Sequence, residues 1–343
     1  MQKKYRFGLV GCGRISRNHF EAIKNNTDRS ELVAVCDAQK EIAKKAAEEN
    51  IVPYYTNLDE MLDNEKIDVL SICTPSSMHT AQGIAAAIRG VHVLSEKPIG
   101  TDLGEVDKLI KICETNSVKL FVVKQNRLNP TSRLLKSAVD KGRFGRLYML
   151  VVNVFWTRPQ EYYDSAKWRG TLEFDGGAFL NQASHYVDML EWLIGSPESV
   201  MAYTATLARK IQTEDTGAAV IKFKNGCIGS VNVTMLTYPQ NREGSITILG
   251  ERGTVKIGGT ALNKVEHWEF QNYDDDDKYI NQANYIPLDV GHTGYYKNVL
   301  DVLETDIDPF VDGREGRKSL ELILAIYKSS REGRSIALPL ESY

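Results

Sequence analysis

The sequence is poor in the features that mark secreted, membrane-spanning and metal-stapled proteins. No apolar stretch approaches the ~18 residues of a membrane-spanning helix, and the apolar run near the N-terminus breaks at Gly11, too early for a signal peptide. The five cysteines are widely spaced and form no C-x-x-C pair: Cys12, Cys36, Cys73, Cys113 and Cys227. This pattern indicates neither a disulfide framework nor a zinc site, so we expect a cytoplasmic protein without a metal.

The chain also lacks an excess of positive charge. Its 42 Lys and Arg residues face 45 Asp and Glu residues, for a formal net charge of -3 and an isoelectric point of about 6.1. Nucleic acid and anionic membranes are therefore poor candidates for the main partner, whereas a small acidic ligand held by a local basic cluster stays open. At 343 residues the chain is long enough for two domains.

Residues 5 to 123 alternate short apolar runs with amphipathic segments. Runs such as ELVAVCD and VHVLSEK are nearly continuous in apolar residues, which is typical of strands buried on both faces. Segments between them, such as LGEVDKLIKICETN, have helical spacing. This alternation predicts an α/β domain of the Rossmann type, with a parallel sheet, over residues 1–123.

From residue 124 onward the sequence becomes rich in β-branched and aromatic stretches separated by turns. We predict an α+β domain over 124–343, with an open, mostly antiparallel sheet and a last helix at about 314–333. Because an open apolar sheet face needs cover, a homodimer or homotetramer through this domain is expected. The acidic stretch NYDDDDKYINQ is interpreted as a solvated loop.

The stretch DGGAFLNQASHYVDMLEWLIG, residues 175–195, has the spacing of one amphipathic helix. One side carries an apolar stripe: Leu180, Ala183, Val187, Leu190 and Ile194. The opposite side carries Asn181, His185, Asp188 and Trp192. A tryptophan is out of place on a solvated face, so the pattern alone leaves open what this side contacts.

The turn in GLVGCGRIS follows a predicted strand and precedes a predicted helix. Gly11 and Gly13 leave room for a pyrophosphate at the helix N-terminus, and Ser16 is a third small residue that allows close packing. Asp37 ends the next strand roughly 20 residues later, where an acidic side chain binds ribose hydroxyls. Its charge would repel a 2′-phosphate, so NAD is favoured over NADP, although Lys40 lies nearby.

Two later predicted strands end in polar segments, CTPSSMH at 73–79 and SEKP at 95–98. The carboxyl ends of parallel strands meet at one edge, where open α/β sheets bind ligands. Taken alone, Thr74-Pro75 is a common turn and Lys97 a common surface lysine. Together with the glycine turn they indicate a single ligand crevice.

The motifs GLVGCGRIS, CTPSSMH, GVHVLSEKP and GGAFLNQASH together resemble the Gfo/Idh/MocA oxidoreductase family over essentially the whole chain. The resemblance implies that Lys97 stands beside the nicotinamide, that His185 is catalytic, and that the polar side of the 175–195 helix faces the other domain. The sequence departs from the family at Asn181, where an aspartate is common. A carboxylate there would raise the basicity of His185, whereas an amide only orients it. Either His185 is tuned differently here or Lys97 carries more of the proton transfer.

Within the family, KQNRLNP, WTRPQEYYD, KWRGT and NQASHYVD resemble the branch that oxidises the 3-hydroxyl of UDP-N-acetylglucosaminuronic acid with NAD, in surface-polysaccharide biosynthesis. In that branch the asparagine is usual. Some members keep NADH bound and regenerate NAD by reducing 2-oxoglutarate, and nothing in the sequence decides whether this chain does so.

The resemblance assigns residues to three roles. The catalytic set is Lys97, His185 and Asn181. The cofactor set is Gly11, Gly13, Arg14, Ile15, Asp37, Thr74, Pro75, Ser77, His79, Glu96, Lys97, Gln125, Trp168 and Arg169. The substrate set is Lys97, Lys124, Asn126, Arg158, Tyr163, Asn181, Gln182 and His185.

The segment TRPQEYYDSAKWRGT offers groups suited to a charged sugar. It places three cations among three aromatic residues: Arg158, Lys167 and Arg169 among Tyr162, Tyr163 and Trp168. Guanidinium groups bind carboxylate and phosphate through paired hydrogen bonds, and a uronic acid on a diphosphate needs several of them. A solvated loop is the alternative interpretation of any one of these residues.

Two other functions stay open. One is another sugar or inositol dehydrogenase of the same family, against which the arginine- and aromatic-rich segment argues moderately. The other is a non-catalytic NAD-binding regulator on the same fold, which would not need both Lys97 and His185.

Overall fold

The computed structural model describes residues 4–284 and 291–340, and the chain divides into two compact units. The first comprises Met1–Gln125 and Leu288–Arg317, and the second Asn126–Pro287 and Lys318–Tyr343. The first boundary lies close to the one expected from the sequence. The return of a later segment to the first unit was not expected.

The first unit contains a six-stranded sheet among its described residues. Its strands are β1 (Tyr5–Val10), β2 (Ser30–Cys36), β3 (Tyr54–Tyr55), β4 (Val69–Ile72), β5 (His92–Ser95) and β6 (Leu120–Val122). All pairs are parallel, in the order β3-β2-β1-β4-β5-β6. β4 is buried at every position, as expected of a strand covered on both faces. The predicted Rossmann sheet is confirmed.

The described helices of the first unit are α1 (Ser16–Lys24), α2 (Lys40–Asn50), α3 (Leu58–Asn64), α4 (His79–Ile88), α5 (Leu103–Thr115) and α10 (His292–Thr305). Two of them begin at side-chain caps. Asn57 accepts a hydrogen bond from the backbone of Glu60 at α3, and Asp102 accepts one from the backbone of Glu105 at α5. These caps fix the helix starts between the strands.

Helix α10 explains the return of the chain to the first unit. The hydroxyl of Tyr295 donates to the carbonyl of Val122 on β6. The ring of Tyr296 lies 5.2 Å from that of Phe7 on β1. Both tyrosines are fully buried, so the helix completes the core of this unit. No sequence motif marked the segment.

The second unit contains an eight-stranded sheet among its described residues. Its strands are β7 (Leu147–Phe155), β8 (Pro197–Ala205), β9 (Thr216–Phe223), β10 (Ile228–Thr234), β11 (Glu243–Gly250), β12 (Gly253–Gly258), β13 (Lys264–Phe270) and β14 (Ile336–Ala337). Their order is β13-β12-β11-β7-β10-β9-β8-β14. β7 and β10 pair in parallel and the other pairs are antiparallel. This confirms the predicted mostly antiparallel sheet.

The described helices of the second unit are α6 (Pro130–Asp140), α7 (Gln160–Asp164), α8 (Ser184–Ile194), α9 (Ile280–Ala283) and most of α11 (Gly313–Glu332). Side chains alternate between buried and exposed along β9, which is the pattern of a sheet with one covered and one open face. In the described part of the chain, no helix has the length and apolar character needed to cross a membrane.

The acidic stretch at 272–282 is not simply a solvated loop. Asp275–Tyr279 forms a 3-10 turn that begins at a capping box on Asp274. Asp277 receives hydrogen bonds from both terminal nitrogens of Arg143, at 2.7 and 2.9 Å. Nζ of Lys141 lies 2.7 Å from Asp276. The prediction missed these cations because they lie far away in the sequence.

Candidate active site

The glycine turn between β1 and α1 has room for an added Cβ atom at Gly13 but not at Gly11. Gly11 has a φ of +89°, and a Cβ there would lie 2.6 Å from the backbone nitrogen of Thr74, so no other residue fits. A Cβ on Gly13 would meet nothing within 4 Å. The open backbone at Gly13, just before a helix, fits the approach of a pyrophosphate.

Asp37 borders this turn at the end of β2. One carboxylate oxygen accepts a hydrogen bond from the backbone of Cys12 and the other from the backbone of Gln39, both at 2.9 Å. The side chain is thus held where a Rossmann fold binds ribose hydroxyls. Arg14 is exposed and Ile15 half-buried on the same turn.

His79 joins the ends of β4 and β5. Its ring is buried, with Nδ1 2.7 Å from the carbonyl of Pro98 and Nε2 2.8 Å from that of Thr74. Burial lowers the pKa of His79. The ring therefore positions the two strand ends, and its predicted contact with the cofactor stays a prediction. Thr74, Pro75 and Ser77 are half-buried.

Glu96 is the centre of a buried polar cluster. Its Oε1 accepts hydrogen bonds from Nε2 of His19 at 3.0 Å and from Nε2 of His292 at 2.8 Å, and its Oε2 accepts one from the backbone of Lys97 at 3.1 Å. Burial alone would raise the pKa of Glu96, but the hydrogen bonds from the two histidines outweigh it and hold the pKa well below its usual range. Glu96 therefore fixes the backbone of Lys97 from within the unit, and its predicted cofactor contact stays a prediction.

The same cluster reaches β4 through a tyrosine. Nδ1 of His19 lies 2.8 Å from the hydroxyl of Tyr296, which lies 2.7 Å from that of Ser71. The ligating atoms of His19, Glu96 and His292 lie within 4.8 Å of one another, a spacing that a metal ion could also use. The hydrogen bonds from the two histidines to Glu96 already explain this spacing. Sequence analysis missed both histidines.

Three predicted residues lie at or near the carboxyl ends of the last two strands. Lys97 is half-buried after β5, and Lys124 is buried after β6, with 1% of its surface exposed. Gln125 is half-buried and is the last residue of the segment Met1–Gln125 of the first unit. Asn126, also half-buried, is the first residue of the second unit.

Residues 175–195 of the second unit do not form one continuous helix. Ala178–Gln182 is a π-helical turn, and α8 begins only at Ser184. The apolar stripe is nevertheless buried as predicted. The single-helix prediction was wrong because the wider π turn changes the period in front of α8. Asn181 lies on the π turn and His185 on the first turn of α8.

Two residues predicted to face the other domain bind within their own unit. Asp188 receives paired hydrogen bonds from the guanidinium of Arg127, each of 2.8 Å, and their side chains are 3% and 4% exposed. The ring centroid of Trp192 lies 5.4 Å from Cζ of Arg127 and 5.8 Å from Nζ of Lys136. These contacts give Asp188 and Trp192 structural partners, and the prediction that this side of the helix faces the other domain stays a prediction.

A half-buried polar layer holds the π turn in place. Glu214 accepts a hydrogen bond from the backbone of Phe179 at 2.9 Å and lies 2.9 Å from the hydroxyl of Tyr327, which also contacts the carbonyl of Gly176. A Cβ on Gly177, where φ is +88°, would lie 2.0 Å from Oε2 of Glu214. Burial raises the pKa of Glu214 to about 7.

Asn181 itself is held by a carboxylate that the sequence analysis did not single out. Its Nδ2 donates to Oδ1 of Asp175, whose Oδ2 accepts a hydrogen bond from the backbone of Gly170 at 2.6 Å. Asp175 is 2% exposed. It opens the DGG motif, and that position was the only signal in the sequence.

A cationic and aromatic cluster lies on the same unit. Nε of Arg158 donates to Gln182 at 2.9 Å, and Nε2 of Gln182 lies 2.9 Å from the hydroxyl of Tyr162. Cζ of Arg169 lies 4.2 Å from the Tyr162 ring centroid and 4.7 Å from that of Trp168. Four residues assigned to the cofactor or the substrate thus lie around Tyr162: Arg158, Trp168, Arg169 and Gln182. The sequence analysis had named Tyr162 only as part of the segment TRPQEYYDSAKWRGT.

Tyr163 is buried next to Tyr162, and its predicted contact with the substrate stays a prediction. It is 6% exposed, its ring packs edge-on against Tyr162 at 5.2 Å, and burial raises its pKa. It therefore supports the cluster from inside, while Lys167 is exposed. Arg209, which sequence analysis missed, donates to the carbonyl of Arg158 at 2.7 Å.

Family profiles match both units. The oxidoreductase family's NAD-binding Rossmann fold matches residues 5–124, and the C-terminal alpha/beta domain of the same family matches residues 136–338. The chain belongs to the Gfo/Idh/MocA oxidoreductase family. The family resemblance seen in the sequence is confirmed, and NAD is the cofactor of this family's Rossmann fold.

Two similar structures were solved with NADH and UDP-GlcNAcA. The WlbA dehydrogenase of Bordetella pertussis is 54% identical, covers 99% of this chain and 100% of its own, and has a TM-score of 0.97. That of Chromobacterium violaceum is 52% identical, covers 98% and 97%, and has a TM-score of 0.96. Myo-inositol 2-dehydrogenase of Thermotoga maritima is 26% identical over 97% of this chain and 98% of its own length.

Proposed function

We propose that the protein oxidises the 3-hydroxyl of UDP-N-acetylglucosaminuronic acid to the 3-keto sugar, with NAD as oxidant. The observation that carries this proposal is the 54% identity, over the full length, to a WlbA dehydrogenase solved with NADH and UDP-GlcNAcA. Lys97 and His185, the residues that the family resemblance makes catalytic, are both present.

The glycine turn fits the cofactor. Gly13 leaves its backbone open to a pyrophosphate, and Asp37 offers carboxylate oxygens to the ribose hydroxyls. The negative charge of Asp37 disfavours a 2′-phosphate, which supports NAD over NADP. When bound, NAD accepts a hydride from the carbon that carries the reacting hydroxyl.

The residues of the chain handle the proton and the developing charge. As the C3–H bond breaks and the C=O bond forms, the hydroxyl proton passes to a base, so the products are the ketone, NADH and one proton. We assign the base to His185 and stabilisation of the alkoxide to the ammonium group of Lys97. In the alternative assignment Lys97 accepts the proton. The variants Lys97→Ala and His185→Ala distinguish the two assignments.

The arginine cluster fits an anionic substrate. Arg158 and Arg169 lie among Tyr162, Trp168 and Gln182, so guanidinium groups and an aromatic face are offered together. Guanidinium groups bind carboxylates and phosphates through paired hydrogen bonds. This matches the uronate carboxylate and the diphosphate of a UDP-uronic acid, and it is more positive charge than a neutral polyol needs.

A second candidate is oxidation of an inositol or another free polyol. The Thermotoga maritima myo-inositol 2-dehydrogenase aligns over 97% of this chain, which favours it, although the identity is only 26%. The two candidates share the cofactor, so only the substrate separates them.

We further infer that the open face of the second sheet mediates a homodimer or homotetramer. Ile228 on β10 pairs with Met149 on β7 and is opposite Lys222 on β9, while Val220 lies two positions along on the same face. Met149, Val220 and Ile228 are 41%, 54% and 48% exposed. An apolar patch of this kind needs a partner. A cytoplasmic location and 2-oxoglutarate as second substrate also remain proposals.

The direct test is a substrate panel. Purified protein is incubated with NAD and either UDP-N-acetylglucosaminuronic acid, UDP-N-acetylglucosamine, free glucuronic acid or myo-inositol, with and without 2-oxoglutarate. We expect formation of NADH, or of reduced 2-oxoglutarate, with UDP-N-acetylglucosaminuronic acid and with none of the other three compounds. Turnover with inositol and none with the UDP-uronic acid would transfer the assignment to the second candidate.

A further inference from the structure

Asp175 connects two segments around the candidate catalytic turn. Its Oδ2 accepts a hydrogen bond from the backbone of Gly170, at the end of the segment that carries the arginine cluster, and its Oδ1 accepts one from the side chain of Asn181. Both contacts come from N–H donors, which an ionised carboxylate accepts. With 2% of its surface exposed, Asp175 is a buried anion, and such groups persist when their hydrogen bonds are made.

This contact fixes the orientation of the Asn181 amide. A carboxylate only accepts hydrogen bonds, so the NH₂ group of Asn181 must face Asp175 and its carbonyl oxygen must point away. Asn181 therefore presents an acceptor on its other side. An aspartate at position 181 would present a charged acceptor. Here the negative charge is on Asp175, six residues earlier, and it polarises the Asn181 amide.

The carboxyl group of Glu214 is less suited than that of Asp175 to supply a negative charge next to Asn181. Burial raises the pKa of Glu214 to about 7, and the nearby charge of Asp175 adds to the rise. Glu214 holds the π turn through Phe179 and Tyr327 rather than through Asn181. The negative charge next to the Asn181 side chain therefore belongs to Asp175.

We propose that Asp175 is a positioning residue for the dehydrogenation: it holds the Asn181 carbonyl oxygen toward the reacting hydroxyl and its base, and it supplies the negative charge that Asn181 lacks. The inference rests on the proposed function, because the reacting hydroxyl is the one named there. It also answers how an amide replaces the aspartate common in the family. The carboxylate has moved to residue 175 and acts through the amide.

An exchange of the two side chains tests this role. Asp175→Asn leaves two facing amides and Asn181→Asp places two carboxylates together, so each should lower kcat roughly 10²-fold, as expected for misplaced reacting groups. The KM for NAD should not change. The double variant Asp175→Asn/Asn181→Asp restores one carboxylate and one amide in reversed order, and it should recover roughly tenfold over either single variant, as coupled neighbours do.

A matched control removes a hydrogen-bonded carboxylate elsewhere on the same unit. Asp277 accepts hydrogen bonds from Arg143 and Trp268 and lies outside the candidate site. Asp277→Asn should lower the melting temperature without changing kcat. A double variant as slow as the slower single variant, or wild-type kcat in Asp175→Asn, would overturn the inference.

A second readout does not depend on turnover. The side-chain amide resonance of Asn181, assigned by its loss in Asn181→Asp, should shift in Asp175→Asn more than other side-chain amide resonances. If the wild type fails to oxidise the UDP sugar, the proposed function fails, and this resonance alone decides whether Asp175 holds Asn181. An unshifted resonance would contradict the pairing.

Discussion

The first unit holds Asp37 and His79 with main-chain atoms, whereas the second unit holds Asn181 with a buried carboxylate. Beside the glycine turn, Asp37 is fixed by two backbone amides and His79 lies between two backbone carbonyls. On the π turn, Asn181 is fixed by the carboxylate of Asp175, and Glu214 binds the turn itself. The candidate ligand groups of the two units are thus supported in two physically different ways.

This difference determines what substitutions do in each unit. Main-chain atoms at the ends of parallel strands are placed by the sheet, so they tolerate changes of side chain that add no clash. The π turn depends on carboxyl and hydroxyl groups that must remain hydrogen-bonded, since burial of an unpaired polar group is unfavourable. We therefore expect changes at the glycine turn to act on NAD binding, and changes around the π turn to act on stability or catalysis.

The largest effect should come from the two candidate catalytic residues, one in each unit. Lys97→Ala and His185→Ala should each lower kcat by roughly 10²–10⁴-fold, the usual contribution of proton transfer or charge stabilisation. NAD binding, measured by calorimetry, should persist in both. Loss of the acidic limb of the pH–rate profile, where the base becomes protonated, in one variant only would identify which residue accepts the proton. Normal turnover in His185→Ala would place all the chemistry in the first unit.

The next effect should be on stability alone. Asp188→Asn leaves the buried guanidinium of Arg127 without its charged partner and should lower the free energy of unfolding by about 3–5 kcal/mol. Glu198→Gln breaks the exposed pair with Lys222, which should change it by less than about 1 kcal/mol. Denaturant unfolding measures both, and kcat of the folded enzyme should be unchanged. A lower kcat in Asp188→Asn would mean that α8 is catalytic along its whole length.

Glu214 should make the second unit pH-sensitive. Its pKa is about 7 in the folded protein, raised by burial, and 4.5 is the ordinary value. Between these values the folded form keeps a proton that the unfolded form has lost, so stability falls as the pH rises through this window. Glu214→Gln does not titrate and should be more stable than the wild type at pH 8 by up to about 3 kcal/mol. Equal stability at pH 5 and pH 8 in the wild type would contradict this.

The smallest effect should appear at the open glycine. Gly13→Ala adds a methyl group that meets no protein atom within 4 Å, so stability should not change, while NAD binding should weaken by about tenfold, or ~1.4 kcal/mol, through lost approach to the pyrophosphate. Gly11 is unsuitable for this test because its φ of +89° and its contact with Thr74 would disturb the fold. Unchanged NAD affinity in Gly13→Ala would show that the cofactor does not approach this turn.

The sequence indicated the arrangement around the glycine turn better than the arrangement around the π turn, and the reason is distance along the chain. The residues of the glycine turn and the ends of β4 and β5 lie within short motifs, and parallel strands bring such ends together. The partners of the π turn do not share this locality. Tyr327 binds the backbone of Leu180 from 147 positions away, and Glu214 binds Phe179 from 35.

The helical period failed for a related reason. An average period of 3.6 residues describes α8 but not the π turn in front of it, so the prediction of one continuous helix was wrong. The pairing of Asp188 with Arg127 spans 61 positions, and no pattern within the helix indicates it. The apolar stripe, which depends on burial alone, was predicted correctly.

Hydride transfer from the sugar can be followed directly. UDP-N-acetylglucosaminuronic acid deuterated at C3 is incubated with the protein and NAD, and the reduced cofactor is analysed by mass spectrometry. We predict that the label moves to the nicotinamide, with the 3-keto sugar as the other product. Unlabelled NADH, or labelled NADH from deuterated myo-inositol but none from the UDP sugar, would contradict the proposed function.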